Sequence, residues 1–443
     1  MAADRTRRVL GAQLADGITR GNMWALLAMA TAGTAVISFL PSTQPHILTT
    51  VLGVPDSAQG RVVGLLGFSA ELAMIVSLAW YGALADRFGR RIVVLAGLAL
   101  CAFGVALFPF AGNTAVLVAL RVVFGLGVAA INAMLSTVAI DYVRTRSRGK
   151  SYGLIGVFGG IGAVVAVLLL ARLPQMFESR GLAPVAATRL AFLLIAAGIV
   201  VLAAVLWVTL AKPAVTAAGG ERVPLPRLVR EGVVLARDPG VALSYAASFV
   251  ARADLAIVVG FMTLWITDFA VAERGMSSAE AVARAGAVVG ISQTVALLCA
   301  PVFGWLGDRM PRQNLVILAQ AVAAAAYLST LLVSDPLGSG MMIVAVLIGV
   351  GEIAGITTAG PLLAQQVPAA VRGSAFGVHT LCGAAGIMIV SGLGGILYDV
   401  WRPAGPFVLS GIAGLLVAAF GLAVRGRVHP RADAGTARET LPA

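Results

Sequence analysis

Residues 82–90 of this chain read Gly-Ala-Leu-Ala-Asp-Arg-Phe-Gly-Arg, and residues 304–312 read Gly-Trp-Leu-Gly-Asp-Arg-Met-Pro-Arg, a repeat at a spacing of 222 residues. A second block recurs at a spacing of 224, since Gly125, Gly127, Arg148, Gly149 and Gly153 reappear as Gly349, Gly351, Arg372, Gly373 and Gly377. So little slippage between the blocks requires loops of nearly equal length in both halves, so the chain is two copies of one unit. The second copy of the basic turn is the weaker, with Pro311 in place of Gly89 and Gln313 in place of Arg91.

Composition says what each copy is. Of 443 residues 59% are hydrophobic and 12% charged, which no soluble protein of this length needs, so the chain is read as a polytopic membrane protein. Apolar runs long enough to cross roughly 30 Å of hydrocarbon lie near 23–40, 62–83, 92–110, 115–140, 152–171 and 190–210. Six more lie near 241–267, 286–306, 315–333, 341–366, 374–397 and 406–424. The expected fold is all-α: twelve transmembrane helices in two pseudo-symmetric six-helix bundles. A cytoplasmic N-terminal segment (1–22) precedes the first bundle (23–211), a cytoplasmic linker (212–240) joins it to the second (241–424), and a cytoplasmic tail (425–443) follows. The linker reading comes from Pro213, Gly219, Gly220, Pro224, Pro226 and Pro239 among basic residues. No cleavage site follows the short charged N-terminus, so the first span is expected to be a retained anchor, with Arg5, Arg7, Arg8 and Arg20 along the membrane surface.

A net charge of +12 invites a nucleic-acid reading, but the loops explain it better. With the N-terminus inside, 23 of the 32 basic residues fall in inner segments, seven in outer ones, and two, Arg121 and Arg252, within spans. The positive-inside bias places both termini in the cytoplasm of a multi-pass protein of the cell (inner) membrane. The tryptophans fall near span ends, as an interfacial belt would. Cys101, Cys299 and Cys382 are isolated in apolar sequence and read as packing residues, so neither a metal nor a disulfide is expected.

The turn Gly82, Asp86, Arg87, Gly89, Arg90, echoed by Gly304, Asp308 and Arg309, resembles the loop between helices two and three of the major facilitator superfamily of secondary transporters. Arg121-Val-Val-Phe-Gly125-Leu-Gly127 is similar to that family's fourth-helix motif, whose arginine is often implicated in proton coupling. The resemblance implies parallel halves related by an axis along the membrane normal, a binding site between them near the midplane, and a conformational gate at the basic turns. The fifth span lacks the Gly-Pro of drug antiporters and the first carries no acidic residue, both departures from multidrug exporters.

Where symmetry builds the scaffold, polar departures from symmetry are the functional candidates. Arg121 maps onto Ala345, Glu71 onto Gln293, and Glu352 back onto Val128. Charges at mid-membrane cost about 2.5–3.5 kcal/mol on insertion scales, so they face cavities or partners. Glu71, Arg121, Asp254 and Glu352 are the proton-coupling candidates; Glu71 and Arg121 lie at similar depth and either pair as a switch or form a fixed salt bridge between helices. Asn132, Arg252, Gln293, Thr357, Thr358 and His379 are the substrate-cavity candidates. Arg252 and Asp254, two residues apart, point in different directions on a helix. No nucleotide-binding loop, catalytic triad or metal cluster is present in the sequence, so neither an enzyme nor a cofactor is expected. The expected partners are a small-molecule solute, protons and the lipid bilayer, with no nucleic acid, and a monomer is expected. The leading expectation is proton-coupled export of a small, partly apolar organic solute by alternating access. Uptake of an organic anion held by Arg121 and Arg252 is the alternative, and a transport-inactive sensor or scaffold is the reading from another class.

Overall fold

The structure, a computed structural model, describes residues 8–144, 147–211, 225–368 and 371–428, leaving aside the side chains at 78, 79, 82, 83, 86, 148, 149, 225–228 and 254–256. Among the described residues, twelve helical spans are long and apolar enough to cross a membrane. They are built from α1 (Arg20–Thr50), α2 (Asp56–Phe88), α3 (Arg90–Leu107), α4 (Thr114–Asp141), α5 (Arg148–Leu168) with the short α6 (Leu173–Glu178), and α7 (Pro184–Thr209). After a non-spanning α8 (Leu225–Val234) come α9 (Pro239–Ala256) and α10 (Thr263–Arg274), which a π-helical stretch, Ile257–Met262, joins into one span. α11 (Ser278–Gly307), α12 (Arg312–Leu328), α13 (Ser339–Gln366), α14 (Arg372–Val400) and α15 (Gly405–Val424) complete the set.

The helix ends obey local chemistry. Thr19 and Asn22 form a reciprocal capping box at the start of α1, and the Asn113 side chain accepts from the Val116 N–H at the start of α4. Gly89, at φ +89°, turns the chain between α2 and α3, a conformation that a side chain would strain. Several helices run past the apolar stretches that announce them. α1 continues ten residues beyond position 40, through Pro41 and Pro45, because Ser42, Thr43, Gln44 and His46 are buried against protein rather than exposed to lipid.

Contacts divide the chain into two compact units. The first holds residues up to Gly220 and, from later in the chain, Val259–Thr294; in it α3 packs on α4 and α7, α1 on α5, α7 and α10, and α2 on α4. The second holds Glu221–Val258 and Val295–Ala443, with α9 on α13 and α14, and α12 on α13 and α15. Within each unit the repeat is visible as backbone contact. A Cβ on Gly162 would collide with the Thr31 carbonyl oxygen, so α5 lies directly on α1; at the equivalent position Gly386 leaves the same room for the Phe249 carbonyl oxygen, and α14 lies on α9. Likewise a Cβ on Gly127 would stand 2.7 Å from Cys101 Sγ, and one on Gly351 2.7 Å from Ala323 Cα. Gly162→Val and Gly386→Val are therefore each expected to lower stability by at least about 1–3 kcal/mol, read as melting temperature and folded yield. Gly153→Val, which meets open space, is expected to have little effect on packing.

Two segments carry local structure that the apolar runs do not announce. Near the beginning of the described chain a hairpin, β1 (Arg8–Val9) with β2 (Ala12–Gln13), turns at Leu10-Gly11 and docks on the loop after α4. Arg144 N–H donates to the Gln13 carbonyl at 3.0 Å, Ala15 N–H to that of Tyr142 at 2.9 Å, and Arg144 pairs with Asp16 at 2.9 Å. Val9, Ala12, Leu14 and Ile18 are buried beneath it. Tyr142 accepts from the Ala211 N–H at 2.9 Å, and burial raises its phenol above the ordinary value, so it stays neutral there. Arg5 and Arg7 lie outside the described residues. The expected linker falls partly outside them too, at 212–224, but its remainder is helical: α8 packs on α14, with the Tyr245 hydroxyl donating to the Gly232 carbonyl at 2.9 Å.

Candidate functional site

In the first unit Glu71 on α2 and Arg121 on α4 are both buried, at 6% and 9% exposure, and the carboxylate acts electrostatically on the guanidinium. The motif explains the meeting. Gly125 sits one turn from Arg121, and a Cβ there would lie 3.0 Å from the carbonyl oxygen of Ala70, the residue before Glu71. The glycine thus lets α2 approach α4 closely enough for the charge of the carboxylate to act on the arginine, and the Tyr81 hydroxyl fastens the same helices by donating to the Leu126 carbonyl at 2.8 Å. The Arg121 guanidinium also stands 5.3 Å from the Phe124 ring centre. Its Nε and Nη1 find no hydrogen-bond partner among the described residues. The cation is thus buried beside a charge and an aromatic face, and incompletely hydrogen-bonded among the described residues. Gln293, on α11, is buried in this same unit, whereas Asn132 is exposed on α4, its carbonyl accepting from the Ser136 hydroxyl.

The second unit brings Arg252 and His379 together. A Cβ on Gly383 would collide with Arg252 Cδ and lie 3.1 Å from Ser248 Oγ, so the arginine stem crosses α14 at a glycine and its charge reaches the His379 imidazole. Glu352 is buried at 2% on α13. Thr357 and Thr358 spend their hydroxyl protons on their own helix, donating to Ile353 at 2.6 Å and Ala354 at 2.9 Å. The side chain of Asp254 lies outside the described residues.

At the basic turns, the Gly82 and Asp86 positions are also outside the described side chains. Arg87 lies 5.2 Å from the Phe88 ring, and Arg90 makes an ion pair with Asp141 at the end of α4, Nε to Oδ2 3.3 Å. In the second copy Gly304, Asp308 and Arg309 are exposed, Arg309 covers Trp305 at 3.8 Å, and Arg312 donates to the Pro361 carbonyl at 2.7 Å. Asp141 escaped the sequence reading because it ends an apolar run without belonging to either repeat.

So did His46. It is 1% exposed on α1, with Nε2 2.6 Å from the Thr188 hydroxyl on α7 and Nδ1 2.9 Å from the Ser278 hydroxyl at the start of α11. Thr188 donates its own proton to the Pro184 carbonyl at 2.7 Å, so it accepts from His46, and the network assigns the ring proton to Nε2. Nδ1 then accepts from Ser278 or from Thr50, 3.2 Å away. One imidazole ties three helices, including one from the second repeat. The signal available was Ser42-Thr43-Gln44 beside Pro45, a polar run beyond the apolar stretch.

Relatives agree with this architecture. The sequence pattern of the Major Facilitator Superfamily matches residues 24–341 and 245–443. The chain is 27% identical over 396 residues to magnetosome protein MamH of Paramagnetospirillum magneticum, covering 87% of this chain and 88% of that one. It is 26% identical over 410 residues to magnetosome protein MamZ of Magnetospirillum gryphiswaldense, covering 88% of this chain but only 60% of that longer protein. Among solved structures, the nucleoside transporter NupG superposes with a TM-score of 0.73 at 14% identity, over 92% of this chain and 99% of NupG, a likeness of fold alone. With the pattern matched across both repeats and twelve spans in place, the chain belongs to the Major Facilitator Superfamily of transporters.

Proposed function

We propose that this chain moves a small organic solute by alternating access and couples that movement to protons at Glu71, with Arg121 setting when the carboxylate is free to bind one. The observation that carries the reading is the buried Glu71 beside an incompletely hydrogen-bonded Arg121, between α2 and α4. A carboxylate beside a guanidinium remains an anion, and one left alone in an apolar interior takes up a proton, so separating and rejoining the two moves a proton with each cycle. Asp254 and Glu352 are the further candidates for that role, and export is the favoured direction. The packing of Val259–Thr294 with α1–α7 supports a state whose outer ends are closed, since Thr50, Pro184 and Ser278 all lie at the ends assigned outside by the basic-residue bias. The test is proton movement evoked by solute. Proteoliposomes holding a pH-sensitive dye are challenged with carboxylates, sugars and lipophilic amines; at least one class is expected to change the internal pH through this protein. No change with any class, together with unaltered protease accessibility of the loops, would favour a sensor or scaffold instead.

Orientation has its own expected result. A cysteine at the exposed Ser179, between α6 and α7, should react with an impermeant reagent added to whole cells, and one at exposed Asp16 should not. The reverse pattern would invert the topology.

A further inference from the structure

Arg252 and His379 share a property that the coupling mechanism does not use: each presents an unsatisfied polar group. Arg252 lies about 20 Å along its helix from Pro239, is solvent-exposed, and has no ion pair or hydrogen bond with any described residue. An exposed guanidinium at that depth cannot face lipid without a large penalty, so it borders water or a solute. Its planar fork matches the two oxygens of a carboxylate. Beside it, Ser248 Oγ donates to the His379 carbonyl at 2.8 Å and lies 3.4 Å from His379 Nδ1. With that hydroxyl proton already engaged, the contact assigns the ring proton to Nδ1. Nε2 is left with its lone pair, buried and without a partner among the described residues. A carboxylate alone would satisfy Arg252 but not that lone pair, which needs a donor. The Phe376 ring, 38% exposed, stands 5.9 Å from the imidazole and offers an apolar face beside it.

We infer that Arg252, His379 and Phe376 accept a small hydroxy acid: its carboxylate on Arg252, the adjacent hydroxyl donating to His379 Nε2, and its apolar body against Phe376. The inference rests on the solute-carrier reading and names the class of solute. It also gives Gly383 a purpose, because any side chain there displaces the Arg252 stem.

The experiment measures thermal stabilisation of the purified full chain by glycolate, lactate and mandelate, each against its deoxy acid (acetate, propionate, phenylacetate) and its methyl ester. A ligand that binds only the folded state must raise the melting temperature by mass action. At least one hydroxy acid is expected to bind tenfold or more tightly than its ester and severalfold more tightly than its deoxy acid. Arg252→Gln should erase the acid-over-ester preference and Arg252→Lys should restore part of it. His379→Phe should keep that preference and erase the one for the hydroxyl. Gly383→Ala, which retains every polar group, should weaken binding as well. Unliganded melting temperatures check that each variant folds, and the His379 arm reads independently of the Arg252 one. Equal stabilisation by acid and ester, undiminished binding by Arg252→Gln, or no stabilisation by any hydroxy acid at about 10 mM would overturn the inference. Loss of the acid preference alongside intact proton-coupled flux of another solute would remove only this inference, and an intact preference with coupling unaffected by Glu71→Gln would remove only the coupling role.

Discussion

His46→Ala is expected to open the ends of the first unit that the proposed orientation places outside. The substitution removes two hydrogen bonds, to Thr188 and to Ser278, each contributing about 0.5–1.5 kcal/mol, so the equilibrium between closed and open ends should shift by about tenfold or more. It also leaves the Ser278 hydroxyl without its acceptor. The readout is a cysteine at Thr267, fully buried on α10 in the same unit, in a background with Cys101, Cys299 and Cys382 replaced by serine. Impermeant maleimide added outside should label that cysteine faster in His46→Ala than in the parent, and His46→Gln, whose amide both donates and accepts, should fall between them. Equal labelling rates would mean that α1, α7 and α11 are held at this end by apolar packing alone.

Arg121→Ala should cripple driven transport more than it harms folding. Removing the guanidinium takes a favourable charge away from the buried Glu71, at up to about 3–5 kcal/mol if the carboxylate stays charged. On the proposed mechanism Glu71 escapes that penalty by binding a proton, which it then keeps through the whole cycle, so that it delivers nothing. Pairing Arg121→Ala with Glu71→Gln separates a switch from a strut. If the two residues act as one unit, the double variant should transport no worse than either single one, a clear failure of additivity. Were the pair purely architectural, folding yield and transport would fall together in each variant, and the neutral double variant would recover yield.

Much of this fold was legible because membrane helices must satisfy their backbone internally, so an apolar run of sufficient length has few other solutions. The repeat was legible because some of its glycines mark close helix contacts: Gly127 and Gly351 sit at the same place in each copy, one against Cys101 and the other against Ala323. What escaped lay where an apolar run stops being informative. α1 runs on through Pro41 and Pro45 because its polar residues face protein, and hydropathy does not distinguish that from a loop. The hairpin on the loop after α4 is built from backbone hydrogen bonds that leave almost no mark in side chains. Among the candidate residues, Arg121 was found from its motif and Glu71 from broken symmetry, and a single glycine at 125 accounts for their meeting. Arg252 and His379 were each visible as polar positions in apolar sequence, but their adjacency depends on how α9 lies across α14, which spacing along the chain does not encode. His46 was hidden for the same reason, since Thr188 and Ser278 are distant in sequence.

The central claim is that proton movement runs through Glu71, and one comparison addresses it directly. Wild type and Glu71→Gln are reconstituted in liposomes and given a radiolabelled solute from whichever class evokes a proton signal, first with an imposed pH gradient and then with the same solute on both sides and no gradient. Accumulation against the gradient should vanish in Glu71→Gln while one-for-one exchange continues near the wild-type rate, because exchange needs alternating access but no net proton. A Glu71→Gln protein that folds normally and still concentrates the solute would contradict the account.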